Sequence, residues 1–158
     1  MMSTREERAI ELFRTGGYGY NCSQSVLGAF CEDNGLDLET ALKLASVFGG
    51  GATRYKGMCG AVSGAIMAIG LKCGHYIKGD IETKKFCHAK AQEFSDKFKA
   101  KNGSTICCEL LGIDKDIEIG SKDFSALRPM FDSICPELVK NAVQILENMD
   151  FERDRIPV

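Results

Sequence analysis

Four cysteines, Cys22, Cys59, Cys107 and Cys135, each fall where the surrounding residues predict the start of a helix. Pro136 suits a first helical position, which makes Cys135 the cap before it. Cys59 opens the apolar stretch from Ala61 to Leu71. Cys22 follows Asn21, a good capping residue, and leads into Val26, Leu27 and Phe30 at helical spacing. Cys107 lies three residues after Ser104, in the first turn of a short helix with Glu109, Leu110 and Leu111. A helix N-terminus favours thiolate through its dipole and free N–H groups, and thiolate is the form that binds metal and attacks disulfides. The expected chemistry is electron handling or metal ligation at one shared site.

The remaining four cysteines carry a blander expectation. Cys31, Cys73 and Cys87 lie within or toward the ends of predicted helices, where the dipole gives a thiolate no help. Cys108 points to a different side of its helix from Cys107. Buried small hydrophobes or surface thiols suffice for all four. No C-x-x-C pair exists, which weighs against a thioredoxin-type centre and the paired knuckles of structural zinc. Neither C-x-x-C-H nor the dense cysteine run of bacterial ferredoxins is present. His75 and His88 share no short ligand spacing with the four cysteines. The loop Phe48-Gly49-Gly50-Gly51-Ala52-Thr53-Arg54 has the makings of an anion site, from backbone N–H groups and Arg54, but a glycine terminator between helices is its favoured role.

The elements that must position these residues follow from caps and periodicity. Thr4 with Glu7 makes a capping box for an opening helix that Gly16, Gly17 and Gly19 end. A second helix spans about Cys22 to Asp33, and Asp37 caps a third with Leu38, Leu42, Ala45 and Phe48 on one face. Gly60 and Gly64, four apart, leave one face of the next helix almost bare, so another backbone can approach it. Asp80 caps a long helix with Cys87, Ala91, Phe94 and Phe98 on one face, closed by Asn102-Gly103. Residues 112 to 134 predict a loop with at most one short helix, broken at Arg128-Pro129. A last helix from Pro136 carries Leu138, Val139, Ala142, Val143, Leu146 and Met149. No stretch alternates apolar and polar residues, so the expectation is an all-α, compact multi-helix bundle around a buried Gly/Ala-rich helix. One domain over 1–158 is expected, with 150–158 a frayed tail.

The 158 residues can bury a core without disulfides. With no visible signal peptide, the expected compartment is the reducing cytoplasm, where spread-out cysteines are metal ligands or redox thiols. The net charge of −2 and the absence of tryptophan and of basic runs argue against nucleic-acid binding. The apolar stretch Ala61 to Leu71 is too short to span a membrane.

Taken in order, these residues resemble a family of bacterial and archaeal proteins considered redox-active and named C-GCAxxG-C-C after its cysteines. The resemblance covers most of the chain. It rests on Asn21-Cys22-Ser23-Gln24-Ser25-Val26, on Phe48-Gly49-Gly50-Gly51 with Met58-Cys59-Gly60-Ala61-Val62-Ser63-Gly64, on Gly103 to Gly112 around Cys107-Cys108, and on Cys135-Pro136-Glu137-Leu138-Val139. The central motif here runs Cys-Gly-Ala where the label runs Gly-Cys-Ala, and the adjacent Cys108 competes with Cys107 for the third position. The resemblance implies redox activity at Cys22, Cys59, Cys107 and Cys135. It also implies kinship with a domain of split-Soret-type cytochromes, which keeps a homodimer under consideration.

Three functions are compatible with these residues. The first is an electron-transfer protein with an iron-sulfur cluster on Cys22, Cys59, Cys107 and Cys135, serving an unidentified redox partner. The second needs no cofactor and cycles the same cysteines between dithiol and disulfide. The third is a zinc-stabilised helical interaction domain. No constellation for hydrolysis or group transfer is visible, so enzymatic activity, if present, is that of an oxidoreductase.

Overall fold

Caps set most of the helix boundaries. The computed structural model describes residues 1, 4–13, 19–118 and 120–153, and among these it contains eight α-helices and no strand. They are α1 Thr4–Phe13, α2 Cys22–Phe30, α3 Leu38–Ala45, α4 Gly60–Cys73, α5 Ile81–Asn102, α6 Cys107–Leu111, α7 Lys122–Ser125 and α8 Arg128–Glu147. Asn21, Asp37 and Asp80 each accept a hydrogen bond from the backbone N–H three residues on, at the starts of α2, α3 and α5. Gly35, Gly103 and Gly112 close helical segments in the left-handed conformation that glycine tolerates. The fold is all-α, as the lack of alternating patterns predicts.

α4 is the centre. Gly60, Ala61, Val62, Ser63, Gly64, Ala65, Ala68 and Ile69 are buried, and the helix packs on α2, α5 and α8. The bare face predicted from Gly60 and Gly64 receives the first turn of α2. A β-carbon at Gly64 would lie 2.5 Å from the Ser23 carbonyl oxygen, and one at Gly60 would lie 3.0 Å from Cys22 Cβ. Phe94 and Phe98 of α5 and Val139, Ala142 and Val143 of α8 fill the rest of the core. Ion pairs from Arg5 to Asp33 and Glu147 tie α1 to the 3-10 turn at 32–34 and to α8.

Four boundaries differ from expectation. Thr4 is already helical rather than capping α1, and Gly16 and Gly17 lie outside the described residues. α3 stops at Ala45, before Phe48. The 112–134 segment holds α7 and the first two turns of α8, because Pro129 sits in the first turn of α8, where its missing N–H costs nothing. Pro136 is therefore inside α8 and Cys135 is mid-helix, not a cap. Of the tail expected to fray, Phe151 packs against the core and Arg153 donates to Thr83 Oγ1 at 3.0 Å, while 154–158 lie outside the described residues.

Candidate functional site

Each of the four cysteines is delivered by a different local device. Asn21 forms a reciprocal capping box with Gln24 (2.9 and 3.0 Å), which fixes Cys22 as the first residue of α2. Asn21 Nδ2 also donates to the Ser46 carbonyl at 2.9 Å, tying that cap to the end of α3. Cys59 caps α4, and its N–H donates to the Thr105 carbonyl at 2.8 Å. Cys107 opens α6 and donates to the Gly57 carbonyl at 2.6 Å. With the antiparallel bridge between Met58 and Ile106, these bonds hold the starts of α4 and α6 together. Cys135 arrives from the middle of α8, directly before Pro136, which cannot donate to the Asp132 carbonyl.

The sulfur atoms converge. The Cys22 thiol is hydrogen-bonded to Cys135, which pushes the Cys22 pKa well up, with burial adding to it and Cys135, Cys59 and Cys107 close enough to add repulsion. The same interaction, helped by the Arg128 cation, holds Cys135 below the ordinary value of 9.0, against the effects of burial and of Asp132. Cys59, only 3% exposed, is pushed up to about 11 by burial, although the N–H groups of Ala61 and Val62 pull it down. Cys107 is pushed to about 12 by burial, with Cys59 and Cys135 adding to the shift.

These directions overturn the expectation of four thiolate-favouring helix starts. The helix-start N–H groups do act on Cys59, but desolvation outweighs them. The one sulfur moved toward thiolate belongs to Cys135, which is mid-helix, and a neighbouring thiol rather than a dipole is the cause. Cys107 lies near enough to Cys59, Cys135 and its neighbour Cys108 for each to act on it.

Cys22 and Cys135 line a cavity of about 680 Å³. Its walls include Phe13, Tyr20, Phe124 and Phe131, with Arg54, Lys56 and Arg128 as cations. Arg128 Nε pairs with Asp132 at 3.2 Å, and Lys56 Nζ donates to the Ile117 carbonyl at 2.7 Å. Sequence reading missed Arg128, Phe131 and Asp132, because Arg128-Pro129 was expected to break the chain. Their signal was present: Arg128, Asp132 and Cys135 follow i, i+4, i+7 spacing, one face of a helix.

The glycine-rich loop contributes to the wall, but not as a cradle of free N–H groups. Gly50, Gly51, Ala52, Thr53 and Arg54 all have positive φ, an unusual run for three residues with side chains. The N–H groups of residues 52 to 57 are spent on the loop's own carbonyls and those of Val47 and Phe48. Any anion there would meet the Arg54 side chain rather than these amides.

His75 and His88 are exposed, and Cys31 is buried in the core as the bland expectation has it. Cys73 and Cys87, expected to be packing or surface residues, lie at the far end of α4 near enough to act on each other electrostatically. Among the described residues no group of three or more His, Cys, Asp or Glu side chains is spaced to hold a single metal ion.

The family model described as "Putative redox-active protein (C_GCAxxG_C_C)" matches residues 20–149. The chain belongs to this C_GCAxxG_C_C family. The match begins just before the Asn21 cap and ends at Met149, so it takes in all four converging cysteines and the cavity residues from Tyr20 to Cys135. No curated protein and no solved structure matches the chain. No helix among the described residues is long and apolar enough to cross a membrane.

Proposed function

We propose that the protein is a thiol-disulfide redox protein whose working pair is Cys135 and Cys22. The observation that carries this reading is that Cys22 and Cys135 meet on the wall of the cavity, close enough to shift each other's titration, with Cys135 biased toward thiolate. A thiolate beside a protonated thiol is what thiol-disulfide exchange requires, as attacking and resolving groups.

In the oxidative direction, Cys135 thiolate attacks one sulfur of an incoming disulfide of a small molecule or protein. The Cys135–S bond forms, the incoming S–S bond breaks, and one thiolate leaves. Cys22, once its proton passes to solvent or to that thiolate, attacks Cys135 Sγ and expels the second thiolate. The protein loses two electrons to form the Cys22–Cys135 disulfide, and the incoming disulfide gains them as two thiols. The aromatic and aliphatic walls limit water around the mixed disulfide. Cys59 and Cys107, both held protonated near neutrality, stay out of the exchange.

A second reading is favoured by the convergence of all four sulfurs. Cys22, Cys59, Cys107 and Cys135 would hold an iron-sulfur cluster, which supplies one-electron transfer when bound. A cluster, larger than an ion, is compatible with sulfurs that are not at single-ion spacing; the close Cys22–Cys135 contact fits it less well than it fits a disulfide. Zinc fits least, since no ligand trio suits one ion.

The test is made on anaerobically purified protein, assayed for iron and acid-labile sulfide, then oxidised and mapped by mass spectrometry without reduction. Iron-free protein in which the Cys22 and Cys135 peptides become joined supports the dithiol reading. Stoichiometric iron and sulfide that are lost in Cys59→Ser, with no joined peptides, would replace it with the cluster reading.

A further inference from the structure

The last residue of α4 and the second turn of α5 bring two more thiols together. Cys73 and Cys87 are half-buried, packed against the core, and near enough to act on each other electrostatically. Only residues 74–80 separate the two helices. Cys73 Sγ also lies 3.2 Å from the Ile69 carbonyl, within hydrogen-bonding range for a protonated thiol. The cationic side chains of Lys72 and Arg153 are near enough to Cys73 to act on it electrostatically. Arg153 itself bonds Thr83 and stacks on Phe86, while Lys72 lies over the Phe151 ring. The C-terminal residues 151–153 thereby cover this corner without burying it.

We propose that Cys73 and Cys87 form a second, reversible dithiol-disulfide pair, oxidised by low-molecular-weight disulfides and separate from the Cys22–Cys135 site. Cys59 caps α4 and Cys73 ends it, so 14 residues of helix hold the two sites about 20 Å apart. Direct exchange between them is excluded at that distance. Nothing in the C-GCAxxG-C-C pattern calls for Cys73 or Cys87, and the inference does not depend on how the four pattern cysteines react.

The chemistry is a two-step exchange. Cys87 attacks a small disulfide, forming a mixed disulfide and releasing one small thiol. Cys73, protonated toward Ile69 at rest, loses its proton to solvent and attacks Cys87 Sγ, releasing the second small thiol. Two protein thiols are oxidised to one disulfide, and one small disulfide is reduced to two thiols. Lys72 and Arg153 favour an incoming molecule that carries carboxylates. The product staples the end of α4 to α5 beside the C-terminal segment.

The experiment treats the intact, reduced protein with glutathione disulfide and maps its peptides without reduction. The expected product joins the peptide containing Cys73 to the one containing Cys87, and the joint is reversed by dithiothreitol. Cys73→Ser should trap glutathione on Cys87, and the joined species should still form in Cys135→Ser. Thiols at 73 and 87 that stay free in the folded wild-type protein, or that each hold glutathione without joining, would overturn the proposal. Because the readout is specific to these two peptides, its failure is distinct from failure at Cys22 and Cys135.

Discussion

Cys135 owes its bias toward thiolate chiefly to Cys22, with Arg128 a smaller contributor, so its reactivity should follow what stands at position 22. Removing the donor with Cys22→Ala should return the Cys135 pKa toward 9.0. Each unit of that rise leaves about tenfold less thiolate near neutrality. The expected outcome is slower alkylation of Cys135 by iodoacetamide at pH 7, with the midpoint of the pH-rate profile displaced upward. Cys22→Ser keeps an O–H donor and should preserve most of the wild-type profile. Equal profiles for the alanine and serine variants would show that the hydrogen bond is not the cause. Ser23, next in the chain, sets a different residue-scale question. Its buried Oγ has no hydrogen-bond partner among the described residues, and an unsatisfied buried hydroxyl costs about 1–3 kcal/mol. Ser23→Ala should therefore raise stability in urea unfolding by about 1 kcal/mol. A loss of that size would instead mean that the hydroxyl serves a bound group in the purified protein.

At the scale of elements, α2 and α4 approach because Gly64 has no side chain. Gly64→Ala would put Cβ 2.5 Å from a backbone oxygen that has no flexible end to yield. Overpacking of this kind costs typically about 1–3 kcal/mol. Because Ser23 directly follows Cys22, the same shift should move Cys22 relative to Cys135. Both a lower urea midpoint and slower Cys22–Cys135 disulfide formation are expected; a stability loss with unchanged oxidation rate would show that the pair does not depend on the α2–α4 contact. This bare face was legible in the sequence, as were the caps at Asn21, Asp37 and Asp80, because both depend on residues close in the chain. Proline was harder to place. Pro129 and Pro136 are each compatible with a first turn, and the helix starts at the earlier one. Cys135 was consequently named as a site residue for a reason that the structure does not support, a cap position it does not occupy. The Cys73–Cys87 contact had no local signature at all, since it arises where two helices meet after a seven-residue loop.

At the scale of the molecule, the reduced protein holds several thiols protonated that ionise readily once unfolded, and this couples its stability to alkaline pH. Cys59 is raised to about 11 and Cys107 and Cys73 to about 12, with burial the largest cause in each case. For a thiol whose folded pKa lies above its unfolded one, the unfolded chain binds fewer protons between the two values. The stabilising contribution is then complete below the unfolded pKa and falls as pH rises toward the folded one. For the almost fully buried Cys59 the decline is about 1.4 kcal/mol per pH unit between the ordinary 9.0 and about 11. Half-exposed Cys73 and Cys107 add smaller amounts because solvent screens them. Cys135 works in the opposite sense, its depressed value adding stability at high pH, but its partner Cys22 is raised by the same hydrogen bond and offsets it. Urea unfolding of the reduced protein should thus show stability dropping steeply from pH 9 to 10.5. Cys59→Ala, less stable at every pH because it removes a buried side chain, should have the shallower slope. If the variant and the wild type lose stability in parallel, Cys59 is ionising as freely in the folded protein as in the unfolded chain, and burial is not what keeps it out of the exchange at Cys135.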